Sequence, residues 1–137
     1  MINRMIKKRD FWMPFAPVVK RQDAGAYFHN AKGLPSPYMM NTFDSTEKRK
    51  EFMAAVHGAD LTARPQLLEP GQNKDYEAIL DSFAARTGRK VLLNTSFNLH
   101  GHPIACSAAD ALRVLVDSGL DHLVLGPFLV SKKREPG

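Results

Sequence analysis

An apolar run that ends in a cluster of polar residues is the feature of this sequence that most constrains its fold. Residues 91–93 read Val-Leu-Leu, and Asn-Thr-Ser-Phe-Asn follows directly at 94–98, before a Gly-His-Pro turn at 101–103. A buried strand that ends in this way carries hydroxyls and amides to the rim of a sheet, where they can bind a ligand. Ser96 and Asn98 would lie on one side of the extended backbone and could reach the same ligand. An ordinary strand exit with Asx and Ser turns explains the pattern equally well.

Length and composition are those of one globular domain. The chain has 137 residues, of which 44% are hydrophobic and 24% charged. We therefore expect a single domain over residues 1–137, large enough to bury a core. The sequence has neither a secretory signal nor an apolar run of about 18 residues, so we predict a cytoplasmic protein with no membrane segment. Its one cysteine, Cys106, allows no internal disulfide and agrees with that compartment.

The charge balance favours an anionic partner. The formal net charge is +5 and the pI is near 9.5, and basic residues cluster at 7–9 and at 132–134. Solvated termini are the simplest interpretation of these clusters. Nucleic acid, a nucleotide phosphate or an acidic neighbouring domain are the alternatives.

Two helices are predicted from their caps and their apolar spacing. Asn73 can cap a helix with an i, i+3, i+4 stripe that ends at Gly88. Ser107 and Asp110 have the spacing of a capping box, and the helix after them would end at Gly119. Residues 46–51 are predicted to be a solvated turn or a short helical face.

Strands are predicted at 15–20, 90–95 and 122–131, and residues 36–39 are predicted to open another. The strands at 90–95 and 122–131 flank the second predicted helix, which is the order of a strand-helix-strand crossover unit. The sequence therefore predicts an α/β or α+β fold with a mixed sheet. Residues 3–9 could form a short helix.

Arg64 is the main candidate for binding an anion. Asp60, Thr62, Arg64 and Gln66 alternate along the sequence as they would on one face of a strand. A guanidinium at that place could clamp a phosphate or carboxylate, with Asp60 orienting it. An Asp-Arg pair that braces a loop is the alternative. Two further cations, Lys7 and Arg9, could complete the pocket or simply form an exposed helix end.

Metal and nucleophile sites are not expected. His100 and His102 have no carboxylate or cysteine at ligand spacing beside them, and Cys106 is more typical of packing than of a nucleophile. The sequence also lacks the glycine-rich loops that cradle phosphates. Any phosphate would therefore be held by side chains and strand ends.

Five sequence motifs, in this order, resemble those of O-carbamoyltransferases of the nodulation and antibiotic-tailoring type. The resemblance extends over nearly the whole of this chain and over only the C-terminal part of a typical member. The motifs are Lys7-x-Arg9-x-Phe11-x-x-Pro14-Phe15-Ala16-Pro17, Ser36-Pro37-Tyr38-Met39, Asp60-x-Thr62-Ala63-Arg64-x-Gln66, Leu92-Leu93-Asn94-Thr95-Ser96-Phe97-Asn98-x-x-Gly101-x-Pro103-Ile104 and Asp110-Ala111.

The resemblance implies a YrdC-like fold, a twisted mixed open sheet flanked by helices. It implies a domain that converts carbamoyl phosphate and ATP into carbamoyl-adenylate, with magnesium carried on the phosphates and no metal ligands from the protein. A separate N-terminal kinase-fold domain, absent from this chain, would then transfer the carbamoyl group to a hydroxyl. The chain alone would therefore lack the complete transferase reaction, and nucleic acid is not an implied partner.

The resemblance also implies roles for particular residues. Lys7 and Arg64 would stabilise phosphate charge while carbamate attacks the α-phosphorus of ATP. Ser96, together with Asn98, would position the carbamoyl or phosphoryl group. The residues that would shape the nucleotide pocket are Arg9, Ser36, Tyr38, Met39 and Asn94. This sequence departs from the common family pattern at Met13, Leu61 and His102, where many members have arginine, glycine and an acidic residue.

Two functions of other classes are also compatible with the sequence. A non-catalytic nucleotide- or RNA-binding module would exploit the +5 charge and would show a steep salt dependence. A structural remnant that needs a partner chain is suggested by the apolar residues Phe11, Trp12 and Phe15 near the start.

Overall fold

The computed structural model describes residues 13–30 and 32–133. The predicted helix at 3–9, with Lys7 and Arg9, lies outside these residues. The described chain divides into two compact units, a first unit of residues 13–95 and a second unit of residues 96–133.

The first unit contains six short strands and one α-helix. Three 3₁₀ turns at Arg21–Ala26, Glu47–Glu51 and Met53–Ala55 connect them. The turn at Glu47–Glu51 confirms the short solvated helical segment expected there. The elements are β1 (Ala16–Lys20), β2 (Phe28–His29), β3 (Phe43–Ser45), β4 (Thr62–Ala63), β5 (Gln66–Leu68), α1 (Lys74–Thr87) and β6 (Leu92–Asn94).

Strand β1 is the centre of a mixed three-stranded sheet with the order β5-β1-β6. It pairs in parallel with β5 and antiparallel with β6. Its valines suit a strand that is covered on both faces. Val18 packs with Leu68 and Leu80 on the α1 face, whereas Val19 packs on the opposite face in the larger core.

The larger core is built around aromatic side chains and is bordered by a second sheet, β2-β3-β4, which is antiparallel throughout. Tyr27, Phe28 and Phe52 form a cluster whose ring centroids are 5.6–6.3 Å apart. Phe15 is also buried in this core. Burial of such rings is the main stabilisation of a unit of this size.

Helix α1 begins and ends where the sequence predicts. The Asn73 side chain accepts a hydrogen bond from the Tyr76 N–H, and Gly88 closes the helix in the left-handed conformation with φ of 72°. Glycine adopts that conformation without a steric penalty from a Cβ atom. The prediction for this element is confirmed.

The second unit contains α2 (Ala108–Asp117) and the hairpin strands β7 (His122–Leu125) and β8 (Phe128–Ser131). The capping box of Ser107 and Asp110 is formed, as predicted, although α2 ends at Asp117 rather than near Gly119. One continuous strand over 122–131 is a wrong prediction. The chain reverses at Gly126, whose φ of 57° suits a tight turn.

The α+β class and the mixed sheet are confirmed, with the strands distributed over three small sheets. Among the described residues β7 pairs with β8 and β6 pairs with β1, so the parallel pairing that a crossover unit requires is not formed there. No helix in the described ranges has the length and apolar character needed to span a bilayer.

Candidate functional site

Three segments that are distant in sequence meet at one end of the β5-β1-β6 sheet. Asn94, the last residue of β6, donates a hydrogen bond from Nδ2 to Oε1 of Gln66, the first residue of β5, over 2.8 Å. The same Nδ2 lies 3.8 Å from Sδ of Met39. We call Met39, Gln66 and Asn94 the amide site.

The strand register explains why the two amides meet. Gln66 is opposite Val18 and Asn94 is opposite Ala16 on β1. Because side chains alternate along a strand, both amides point to the α1 face, as Val18 does. Ala16 has the smallest side chain on this path, which leaves room for the amides to touch above β1.

Ser36 fixes the loop that leads to Met39. It is only 1% exposed, its hydroxyl donates to the Pro65 carbonyl over 2.8 Å, and its carbonyl accepts from the Leu67 N–H over 2.8 Å. The hydroxyl is therefore committed to the protein. The prediction that residues 36–39 open a strand is wrong, since they form a turn and the next strand begins at Phe43.

Tyr38 and Met39 form the outer part of this loop. Tyr38 is 70% exposed, and Met39 has a φ of 57°. A non-glycine residue in the left-handed region is strained, and such residues concentrate at ligand-binding loops. The loop thus presents an exposed ring and a thioether beside Asn94.

Arg64 directly precedes Pro65 and Gln66 and is exposed. Within the described residues its guanidinium forms no hydrogen bond or ion pair. The expected single strand from Asp60 to Gln66 is wrong, because β4 and β5 belong to different sheets and the chain passes between them at Arg64 and the buried Pro65. Proline cannot donate to a ladder, which favours a break at this point.

Asp60 does not orient Arg64, which corrects the sequence-based expectation. Its Oδ1 accepts from the Thr62 N–H at 3.0 Å, the Thr62 hydroxyl at 2.8 Å and His57 Nδ1 at 2.9 Å. The bonds from Thr62, followed by that from His57, lower the pKa of Asp60 from 3.8 to about 2. The carboxylate thus closes the loop between residues 57 and 62.

Ser96 and Asn98 lie in the second unit and contact each other. The Ser96 hydroxyl donates to Asn98 Oδ1 over 2.7 Å, and Asn98 Nδ2 donates to the His102 carbonyl over 2.6 Å. The backbone bond from Ala105 N–H to the Phe97 carbonyl closes the same loop at 2.9 Å. The extended backbone expected here is therefore replaced by a closed loop, which still brings the two side chains to one place.

The second unit also has a cavity of about 350 Å³ beside the start of α2. Cys106 is exposed there, and its N–H donates to Asp110 Oδ2. Hydrogen bonds from Ser107 are the main cause of the lowered pKa of Asp110. The carboxylate therefore serves the helix cap. The described residues include no group of three or more His, Cys, Asp or Glu placed to hold a metal ion.

Gln66 is the site residue that sequence reasoning did not select. In the sequence, Gln66 alternates with Arg64, which indicates that the two residues share a surface. This pattern does not predict the contact with Asn94, because that contact depends on the register of two strands across β1.

Comparison with known proteins agrees with the motifs. The family model described as "Carbamoyltransferase C-terminus" matches residues 1–132. Nodulation protein NolNO of Sinorhizobium fredii is 37% identical over 133 residues, which cover 96% of this chain and 20% of that protein. A protein of Methanocaldococcus jannaschii is 39% identical over 134 residues, which cover 97% of this chain and 25% of that protein.

An antibiotic-tailoring enzyme is also similar. The 3'-hydroxymethylcephem-O-carbamoyltransferase of Amycolatopsis lactamdurans is 31% identical over 121 residues, or 88% of this chain and 22% of that enzyme. The chain thus spans between 20% and 25% of the length of these relatives and corresponds to their C-terminal part. With the family match over residues 1–132, this shows that the chain belongs to the carbamoyltransferase C-terminus family.

Proposed function

We propose that this chain binds ATP and carbamoyl phosphate and forms carbamoyl-adenylate, which a separate N-terminal domain transfers to a hydroxyl. Water first releases carbamate and phosphate from carbamoyl phosphate. A carbamate oxygen then attacks the α-phosphorus of ATP, the bond from that phosphorus to the α-β bridging oxygen breaks, and pyrophosphate leaves. Magnesium carried on the phosphates would neutralise part of their charge.

The amide site is the observation that carries this proposal. It joins the Ser36–Met39 loop, the Arg64–Gln66 segment and the end of β6 through one hydrogen bond of 2.8 Å and one sulfur contact of 3.8 Å. These segments belong to three of the five motifs that carry the resemblance to the family. Polar groups that converge from separate elements on one sheet end are typical of a ligand site.

Arg64 supplies the charge that the chemistry needs. It is exposed, next to the amide site in sequence, and uncommitted within the described residues. A guanidinium can bind two phosphate oxygens at once and stabilise the charge that develops in the transition state. Lys7, outside the described residues, would supply a second cation, and Ser96 and Asn98 would position the carbamoyl group.

Titration calorimetry with ATP, carbamoyl phosphate and magnesium, combined with a pyrophosphate-release assay, tests the proposal. We expect Arg64→Ala to weaken ATP binding by roughly tenfold or more and to abolish pyrophosphate release, with Arg64→Lys intermediate. Arg89→Ala, which removes another exposed arginine, is the matched control and should behave as the unmodified chain. Absence of ATP binding by the unmodified chain, or equal effects of Arg64→Ala and Arg89→Ala, would contradict the proposal.

A further inference from the structure

We infer that the amide pair of Gln66 and Asn94 recognises the adenine base of the nucleotide. Gln66 donates to N7, and the Asn94 side-chain carbonyl sets a preference for ATP over GTP. This inference rests on the proposed function. It gives a role to Gln66, a residue that the sequence motifs alone did not place in the site.

The amide pair keeps one free hydrogen-bond donor and one free acceptor. Each primary amide has one carbonyl acceptor and an NH₂ donor group. Their mutual bond uses Asn94 Nδ2 and Gln66 Oε1, which leaves Gln66 Nε2 as a donor and Asn94 Oδ1 as an acceptor.

These remaining groups are accessible to a ligand. Gln66 and Asn94 are both half-buried, and in the described chain no fully buried side-chain nitrogen or oxygen lacks a partner. Neither Gln66 Nε2 nor Asn94 Oδ1 has a protein partner there, so both must face solvent or a bound molecule. An unpaired donor and acceptor that still reach water cost the protein little free energy. They contribute most to binding when a ligand offers an acceptor and a donor in the matching order.

Adenine has the matching pattern. Its N6 amino group is a donor next to the N7 acceptor, and asparagine or glutamine amides pair with this edge. The same edge of guanine presents two acceptors, O6 and N7. Gln66 Nε2 can donate to N7 of either base, whereas Asn94 Oδ1 would face a second acceptor, O6, in guanine.

A carbamoyl group also has a donor next to an acceptor and could pair with the two amides. The side chains around the amide pair favour a flat base over this smaller group. Met39 Sδ is 3.8 Å from Asn94 Nδ2, and the ring of the next residue, Tyr38, is 70% exposed. Thioether and aromatic surfaces stack on bases in a sequence-tolerant way. The amide pair would then supply the discrimination that stacking lacks.

Asn94→Leu is the sharpest variant, because it removes the acceptor that distinguishes N6 of adenine from O6 of guanine. We expect the ratio of ATP to GTP affinity, measured by calorimetry on the full chain, to fall about tenfold. Gln66→Leu is the matched control, since it removes a donor to N7, which both bases carry. It should weaken the binding of both nucleotides and leave the ratio unaltered.

A nucleotide analogue provides the second measurement. The analogue 7-deaza-ATP lacks the N7 acceptor, so we expect it to bind about tenfold more weakly than ATP. For Gln66→Leu, which has no donor, ATP and 7-deaza-ATP should bind equally. Near-identical unfolding temperatures for the variants would show that they keep the fold.

The outcomes separate this inference from the proposed function. ATP binding with an unchanged ratio of ATP to GTP affinity in Asn94→Leu would overturn the inference and leave the proposed function standing. A change confined to the affinity for carbamoyl phosphate would assign the pair to the carbamoyl group and also overturn it. No ATP binding by the unmodified chain would overturn both.

Discussion

Leu61 shows how a single backbone angle depends on its neighbours. Its φ is 58°, which an L-residue adopts at a cost of about 1–2 kcal/mol. The loop holds it there, because the Leu61 N–H donates to the His57 carbonyl and the Leu61 carbonyl accepts from both the N–H and the hydroxyl of Ser45. Glycine is the residue that this geometry favours.

We expect Leu61→Gly to be more stable than Leu61→Ala by about 0.5–1 kcal/mol, since relief of the strain exceeds the entropy that glycine adds to the unfolded chain. Leu61 is 41% exposed, and both variants lose the burial that its side chain has. Leu61→Ala keeps the strain and should be neutral or slightly destabilising. Urea unfolding measures both, and a Leu61→Gly variant less stable than Leu61→Ala would show that the loop does not impose this angle.

Asp60 should make stability depend on pH. Its pKa in the folded protein is about 2, below its ordinary value of 3.8. Because the pKa is lower in the folded protein than in the unfolded chain, the ionised carboxylate stabilises the folded state. This stabilisation is fully present above about pH 4 and is lost as the pH falls toward 2. We expect Asp60→Asn to lower stability at pH 5 and to flatten this part of the profile, as measured by urea unfolding at pH 5, 4, 3 and 2. Parallel profiles for the two proteins would contradict the assignment.

At the scale of elements, the helices are better predicted than the strands. A cap and an apolar stripe lie within one stretch of sequence, so α1 and the start of α2 follow from local chemistry. Strands depend on partners elsewhere in the chain. Residues 122–131 look like one apolar run, yet pairing of β7 with β8 turns them into a hairpin.

The capping box of α2 gives a prediction at this scale. Ser107 Oγ accepts from the Asp110 N–H, and the Asp110 carboxylate accepts from the Ser107 N–H. Ser107→Ala removes the first bond and should destabilise the second unit by about 1 kcal/mol. Ser107→Thr keeps a hydroxyl and should recover most of the loss. Circular dichroism during thermal unfolding measures the effect, and equal behaviour of Ala and Thr would contradict a capping role.

At the scale of the whole molecule, Tyr27 connects distant parts of the first unit. It is 1% exposed, its hydroxyl donates to Glu51 Oε2 over 3.2 Å, and it accepts from the Lys90 N–H over 2.9 Å. Lys48 also lies over its ring, 5.3 Å from the centroid. Burial is the largest cause of the raised pKa of this phenol.

Tyr27→Phe should destabilise the protein by about 1–2 kcal/mol, because the Lys90 N–H loses its buried partner. The ring and its packing are retained, so the cost reports the hydroxyl alone. Tyr38→Phe removes the hydroxyl of an exposed tyrosine and should change stability by less than about 0.5 kcal/mol. Chemical denaturation compares the two, and similar effects would mean that the Tyr27 hydroxyl does not link these segments.

The candidate site was partly predictable. Asn94 follows an apolar run, and Arg64 is one of a series of alternating polar residues. Residue type and spacing alone therefore indicated both as candidate site residues. Gln66 was missed because its role depends on contact with Asn94 across β1, which no local pattern encodes. Asp60 was assigned to Arg64 although the hydrogen bonds within its own loop take up the carboxylate.

The sequence by itself determined the family, the α+β class, the caps of both helices and the polar end of β6. These depend on residue type and short spacing, which act within a few positions of the chain. Only the tertiary structure decided that the end of β6 meets Gln66 and Met39, that β4 and β5 separate at Pro65, and that residues 122–131 fold back on themselves. Each of these depends on strand register, which is set by contacts between residues far apart in sequence.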